Sequence, residues 1–315
     1  MDSKRIGFIG MGVMGAPMAR NLAAGGHAVT VFDADTARAA QAAAESNGGL
    51  AQAESLRELS ARSDIVITML PNGEVVRQVV CGTDGVGEAL APGSLLLDTS
   101  SSEPWLTRET ARVLAGRGVA MVDAPVSGAQ WGAEAADLVF MVGATAADLA
   151  RVRPLLQAMG RAVHHVGPLG AGHTMKCINN MITAMTFIAT AEGLMVGKRA
   201  GLDPAAMNQV LDQSTGGSWL TRNHFAQRVF SRSFDDPFKL DLMVKDVGIA
   251  MGLAQEQGLP LPLSAVGQQL YRAAALDAGP GKSVSEMIRW LERLTGTELM
   301  PGGEEAGARQ NSAGA

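Results

Sequence analysis

A chain of 315 residues, 47% of them hydrophobic, can bury a full core, and its length suits one large domain or, better, two. A net charge of −5 with no basic run gives no support to a nucleic-acid-binding surface. Cys81 and Cys177 form neither a disulfide framework nor a metal-type spacing, so a reduced, cytoplasmic protein is expected.

The opening MDSKRIGFIGMGVMG sets basic residues before an apolar run, as a signal peptide would. Gly7, Gly10, Gly12 and Gly15 interrupt the run and no small-residue cleavage site follows, so a targeting segment is not expected. No uncharged apolar stretch reaches the ~20 residues that span a bilayer, and no membrane partner is expected.

Short apolar runs then alternate with helical patterns. RIGFIG (5–10), AVTVFD (28–33), DIVITML (64–70), SLLLDTS (94–100), VAMVDAP (119–125) and LVFMVG (138–143) read as buried parallel strands. Helical patterns lie between them, for instance at 14–24 and 36–46, with Gly25 and Gly26 stopping the first. Strand and helix in strict turn imply βαβ units and a doubly wound parallel sheet, hence the α/β class.

Past about Gly167 the strand runs vanish. Helical patterns occupy 172–198, 204–213, 218–230, 239–257, 264–278 and 283–295, with Asp203 as N-cap and Pro204 at the first helical position. GPLGAG (167–172) marks the boundary, and the terminal PGGEEAGARQNSAGA lacks periodicity, which predicts a disordered tail.

Gly10-Met11-Gly12-Val13-Met14-Gly15 follows the first strand run and opens the first helix. In that context Gly10 permits a tight turn, Gly12 lets backbone approach a pyrophosphate, and Gly15 allows close helix–strand packing. The diphosphate then lies on a helix N-terminus. Asp33, closing the second strand run, stands where a carboxylate binds the adenosine ribose hydroxyls. It repels a 2′-phosphate, and Ala34 and Asp35 offer no cation, so NAD is favoured over NADP. A helix-capping Asp33 in a merely structural turn is the alternative.

Two more stretches carry candidate chemistry. Pro125-Val126-Ser127-Gly128-Ala129 follows a strand on the side where ligands bind, and a serine hydroxyl with glycine N–H groups can hold a carboxylate; an ordinary turn reads the same way. GAGHTMKCINN (170–180) places Lys176 and Asn180 at i and i+4 on one face of an apolar helix. A lysine serves as general acid/base when desolvation or a second cation lowers its pKa, and Lys245 is a candidate for that cation. A lysine snorkelling to water is the bland alternative. His164 and His165 lack a third ligand at useful spacing, so strand-end residues are expected there and no metal. His173 is a candidate cofactor contact, and Trp219 either closes a site or packs a helix.

Four blocks together resemble the β-hydroxyacid dehydrogenase family: GFIGMGVMGAPMARNL (7–22), DAPVSGAQWGA (123–133), GAGHTMKCINN (170–180) and FKLDLMVKDVGIA (238–250). The resemblance implies a Rossmann domain over 1–167, a long linking helix over 168–198, an all-helical C-terminal substrate and dimerisation domain over 199–299, and a tail over 300–315. It makes Lys176 the catalytic acid/base and Asn180 a substrate-positioning residue, with Ser127 and Gly128 on the substrate carboxylate. Lys245 would lie near the nicotinamide and the substrate. Ser101 of DTSSSEP (98–104), with Leu70 and Pro71 of TMLPN (68–72), would contact NAD beside the Gly10–Gly15 loop. A homodimer or homotetramer acting on a small β-hydroxyacid carboxylate follows.

The chain departs from the family at Ala129, where a second glycine is usual, and at Gln130-Trp131, where smaller residues are usual; Trp131 is expected to reshape the substrate pocket. Lys176 argues against an imine reductase, and the C-terminal half is too short for a 6-phosphogluconate dehydrogenase. Reduction of a sulfonate- or phosphate-bearing semialdehyde by the same chemistry stays open. So does a non-catalytic dinucleotide reader, which would not need Ser127, Lys176, Asn180 and Lys245 together.

Overall fold

Alternating strand and helix patterns in the first half produce one nine-stranded sheet. The computed structural model describes residues 3–302. The chain divides into two compact units, the first ending at Cys177 and the second beginning at Ile178.

The strands are β1 (Arg5–Ile9), β2 (Ala28–Phe32), β3 (Leu50–Gln52), β4 (Ile65–Thr68), β5 (Leu95–Asp98), β6 (Ala120–Asp123), β7 (Val126–Ser127), β8 (Leu138–Gly143) and β9 (Gly160–Gly167). Their order is β3-β2-β1-β4-β5-β6-β8-β7, with β9 beside β8. From β3 to β6 every pairing is parallel. The winding reverses between β1 and β4, and in open α/β sheets ligands bind there, beyond the C-terminal strand ends. β4 and β5 are buried along their whole length, as covering on both faces requires of runs rich in Val, Ile and Leu. Ile6, Phe8, Ile67, Leu95 and Leu97 pack with Met18 and Leu22 of the helix Gly15–Ala24. Burying each such side chain is worth roughly 1.5–3 kcal/mol. Gly25 caps that helix and Gly26, at φ +87, turns the chain away.

One strand expectation is corrected. Residues 138–143 were expected to join a parallel sheet, but β8 runs antiparallel to β6 and β7. β7 continues in the direction of β6, and the chain doubles back through the short helix Ala129–Glu134, so β8 enters from the opposite direction. The helix Ala146–Met159 then carries the chain over to β9, which is parallel to β8. β3, β7 and β9 lack the apolar runs that mark the others. His164 and His165 lie inside β9 rather than at a strand end, with His165 Nε2 2.9 Å from the Ala144 carbonyl.

The second unit is helical. The expected patterns become the helices Ala171–Arg199, Pro204–Asp212, Leu240–Glu256, Pro262–Ala278 and Glu286–Thr295. Asp203 accepts from Ala206 N at 2.9 Å, the capping bond that the Asp-Pro pair implies. Segment 218–230 departs from a single helix: an α-turn, Trp219–Asn223, gives way to a π-helix, Phe225–Phe230. Phe225, Phe187, Leu240, Tyr271 and Met287 form this unit's core. The expected linking helix corresponds to Ala171–Arg199, and the division between units falls inside it. Of the expected tail, Met300 accepts from Lys198 Nζ at 2.7 Å and Gly302 N donates to Asp203 at 2.6 Å; residues 303–315 lie outside the described residues. Among the described residues, no helix is long and apolar enough to cross a membrane.

Candidate active site

β1 ends at Ile9 and the chain turns at once through Gly10, whose φ of +100 favours glycine. A Cβ there would stand 2.3 Å from the Met69 carbonyl oxygen, and one at Gly15 would stand 1.8 Å from the Gly10 carbonyl oxygen. At Gly12, no described heavy atom would lie within 4 Å of a Cβ. Gly10 and Gly15 are therefore demanded by packing, whereas Gly12 faces open space at a helix N-terminus. That is the cradle a dinucleotide pyrophosphate needs, so the loop of Gly10, Met11, Gly12, Val13, Met14 and Gly15 fits the cofactor.

Asp33 follows the last residue of β2 and is tied to this loop. Its Oδ2 accepts from Met11 N at 2.7 Å and its Oδ1 from Asp35 N at 2.8 Å. Each oxygen keeps a second lone pair for a ribose hydroxyl. The nearest following cation, Arg38, pairs with Asp35 at 3.2 Å. Leu70 lies in the loop after β4, where its N–H donates to Ser100 Oγ at 2.9 Å, and Gly73 N donates to Glu103 at 2.9 Å. These bonds join the loop carrying Leu70 and Pro71 to the one carrying Ser101.

Ser127 ends β7 and is half-buried. Gly128 has φ +136 and Ala129 φ +53, after which the short helix Ala129–Glu134 begins. Asn21, in the helix behind the glycine loop, donates to the Ala133 carbonyl at 2.7 Å and so braces this segment. Trp131 is 43% exposed on that short helix.

Lys176 is buried in the helix Ala171–Arg199, with Asn180 one turn later on the same face. His173, a candidate cofactor contact, is taken up instead by the first unit's core. It is 1% exposed, its Nδ1 is 2.7 Å from Thr107 Oγ1, and its Nε2 is 3.1 Å from the Ser100 carbonyl. In the second unit Asn180 Nδ2 donates to Asp246 Oδ2 at 2.5 Å, and Lys245 Nζ lies 3.3 Å from Asp246 Oδ1. Asp246 thus joins two expected site residues, and its one signal in the sequence is an acidic residue beside Lys245 in an apolar helix. Asp98 and Asp123 are marked in the sequence only by each closing an apolar strand run.

One other cluster carries no chemistry of this kind. Ser285, His224 and Asp236 have the residue types of an acyl-transfer triad, but all three are buried, and Ser285 donates its hydroxyl to Asp236. Burial pushes the Asp236 carboxyl up, yet His224 and the two serines outweigh it and hold it below the usual range, as a structural pair would. Trp219 is 57% exposed at the start of its helix, where Ser218 and Thr221 form a capping box.

The NAD-binding domain of 6-phosphogluconate dehydrogenase matches residues 5–167. The NAD-binding region of NADP-dependent 3-hydroxyisobutyrate dehydrogenase matches residues 170–291. The chain is 36% identical over 300 residues to 2-(hydroxymethyl)glutarate dehydrogenase of Eubacterium barkeri, covering 95% of this chain and 99% of that one. It is 38% identical over 277 residues to an NAD-dependent L-serine dehydrogenase of Pseudomonas aeruginosa, covering 85% and 91%. Among solved structures, 3-hydroxyisobutyrate dehydrogenase of Mycobacterium tuberculosis with L-serine superposes with a TM-score of 0.84 at 36% identity, covering 92% and 99%.

Proposed function

The chain belongs to the β-hydroxyacid dehydrogenase family, NAD(P)-dependent oxidoreductases, and from that premise we propose that it oxidises a small β-hydroxyacid with NAD, using Lys176 as acid/base. The observation that carries this reading is a buried lysine with an amide one turn on, in a helix whose other buried positions are mostly apolar.

The loop Gly10–Gly15 and Asp33 hold the dinucleotide, with Leu70, Pro71 and Ser101 beside it. When bound, NAD supplies the acceptor for the hydride that leaves the alcohol carbon. Ser127 Oγ and Gly128 N donate to the substrate carboxylate. Lys176 and Asn180 bind the alcohol oxygen, and Lys176 takes the hydroxyl proton as the carbonyl forms; in reduction it returns that proton. Lys245 adds positive charge for the anionic substrate, and Asp246 holds both Lys245 and the Asn180 amide in place.

Oxidation followed as NADH formation over 3-hydroxyisobutyrate, L-serine and 2-(hydroxymethyl)glutarate, with sulfonate and phosphate analogues, tests the reading. The expected result is highest kcat/KM on one of the carboxylates. A sulfonate or phosphate analogue in first place replaces the substrate class, and no turnover on any leaves a dinucleotide reader.

Asp33 supports NAD over NADP because its carboxylate opposes a 2′-phosphate, and Arg38 is engaged by Asp35. Asp33→Ala is expected to raise the KM for NAD by about 10-fold, the loss of one or two hydrogen bonds to a charged group. The NADP/NAD ratio of kcat/KM should rise with it. A parent enzyme that prefers NADPH sinks this assignment.

A cytoplasmic homodimer or homotetramer belongs to the same proposal. It is supported by the apolar side chains of Ile182, Val196 and Val210, all exposed on the second unit. Light scattering on the purified protein should give a multiple of the chain mass, and a monomer at micromolar concentration overturns it.

A further inference from the structure

Two aspartates close neighbouring strands in register, Asp98 on β5 and Asp123 on β6, and both are fully buried. Buried carboxylates need partners, and two side by side repel. Asp98 finds its partners locally: Thr68 Oγ1 at 2.9 Å, Ser100 N at 3.0 Å and Ser102 Oγ at 2.8 Å. Asp123 reaches across the fold. Its Oδ1 accepts from Gly170 N at 2.7 Å and its Oδ2 from His173 N at 2.8 Å.

Those two N–H groups belong to the start of the helix that carries Lys176. The first four N–H groups of any helix lack intrahelical acceptors, and the dipole there favours negative charge. Asp123 therefore caps this helix from a strand end. His173 completes the clamp, its ring nitrogens lying 3.6 Å from Asp98 Oδ2 and 3.7 Å from Asp123 Oδ2, with Thr107 and Ser100 as closer partners. The packing is tight on both sides of the carboxylate. A Cβ at Gly172 would stand 2.3 Å from the Met141 carbonyl oxygen and 2.8 Å from Asp123 Oδ2, and one at Gly143 would stand 2.3 Å from Asp123 Oδ1. The first turn can neither slide nor rotate without breaking these contacts.

Lys176 comes one turn after His173, and Ser127 lies four residues after Asp123 on the same segment. We propose that Asp123, acting with His173, is the positioning residue for Lys176: it fixes the first turn of the lysine helix to the strand end from which the Ser127–Gly128 loop departs. The inference rests on the reading of Lys176 as acid/base. Burial pushes the Asp123 carboxyl up, beyond what His173 and the two N–H donors recover.

The test compares Asp123→Asn, His173→Ala and Lys176→Ala on the best hydroxyacid of the screen above, with NADH Kd measured by fluorescence. A catalytic group displaced by about 1 Å can lose ~10²-fold in rate. Asp123→Asn is thus expected to lower kcat roughly 10–100-fold and His173→Ala roughly 5–50-fold, with hydroxyacid KM and NADH Kd within about 3-fold of the parent. If Lys176→Ala retains activity, the acid/base reading fails first. If Lys176→Ala is inactive while Asp123→Asn and His173→Ala keep kcat within about 2-fold, the positioning proposal alone fails. Parallel loss of NADH binding in both variants also overturns it, since that marks general unfolding. An insoluble Asp123→Asn leaves His173→Ala to decide.

Discussion

Lys176→Ala is expected to lower kcat for hydroxyacid oxidation by about 10²–10⁴-fold, the usual contribution of a positioned general base. NADH should still bind within about 3-fold of the parent, because the proposed dinucleotide contacts lie elsewhere, in the glycine loop and at strand ends. The side chain is buried in the helix Ala171–Arg199, so its removal also leaves a small void. That void costs stability, on the order of 1–3 kcal/mol, which a thermal melt separates from loss of chemistry. Steady-state rates at saturating NAD and the NADH Kd decide the matter together. A variant that keeps half of the parental kcat excludes Lys176 as the proton carrier.

The glycine loop yields the second large effect, and two of its glycines, Gly15 and Gly12, are expected to fail in different ways. Gly15→Ala drives a methyl to 1.8 Å from the Gly10 carbonyl oxygen, which is backbone and cannot give way. Overpacking of this kind costs roughly 1–3 kcal/mol or more, so a lowered Tm and poor NADH binding should appear together. Gly12→Ala meets no described atom within 4 Å, and its backbone is not among those with positive φ. Its Tm should stay near that of the parent, while NADH Kd rises roughly 10–100-fold, about 1.4–2.8 kcal/mol, because the methyl takes the room of the pyrophosphate. A melt and an NADH titration on both variants check the contrast. Equal loss of Tm in the two would mean that Gly12 serves packing and not the ligand.

Much of the first unit is legible in its sequence. β1, β2, β4, β5 and β6 sit inside the sheet with helices on both faces, so their residues form unbroken apolar runs. β9 is an edge strand, exposed or half-exposed over most of its length, and GRAVHHVG carries no such run. The direction of β8 was hidden for another reason. An apolar run reports burial and not polarity, and the six-residue helix Ala129–Glu134 at which the chain reverses is too short to read. In the second unit the helices follow from periodicity and caps, apart from the π-turn at Phe225–Phe230, whose composition is that of an ordinary helix.

The site divides along the same line. Gly10, Gly12, Gly15, Asp33, Ser127, Lys176 and Asn180 stand in contiguous motifs, which one chain can display. Asp98, Asp123 and His173 lie far apart in sequence and meet only because β5 and β6 are neighbours and the lysine helix starts at their ends. Asp246 shows in the sequence only as an acidic residue beside Lys245, and its bond to Asn180, 66 residues away, appears only in the fold. Polar networks built across a fold leave single residues in the sequence, each with a bland local explanation.

The segment after Ser127 has a consequence for binding entropy. The short helix there is bracketed by two alanines in the left-handed region, Ala129 and Ala136, each at φ +53. An L-residue in that conformation costs roughly 1–2 kcal/mol, and it persists only where its surroundings over-determine it. Asn21 holds the helix from one side, and on the other a Cβ at Gly128 would stand 3.1 Å from Leu138. Alternative shapes of the loop are therefore scarce before any ligand arrives. The freedom that a flexible serine-glycine turn would lose on gripping a carboxylate has already been lost in folding, so the proposed grip of Ser127 and Gly128 would need few contacts.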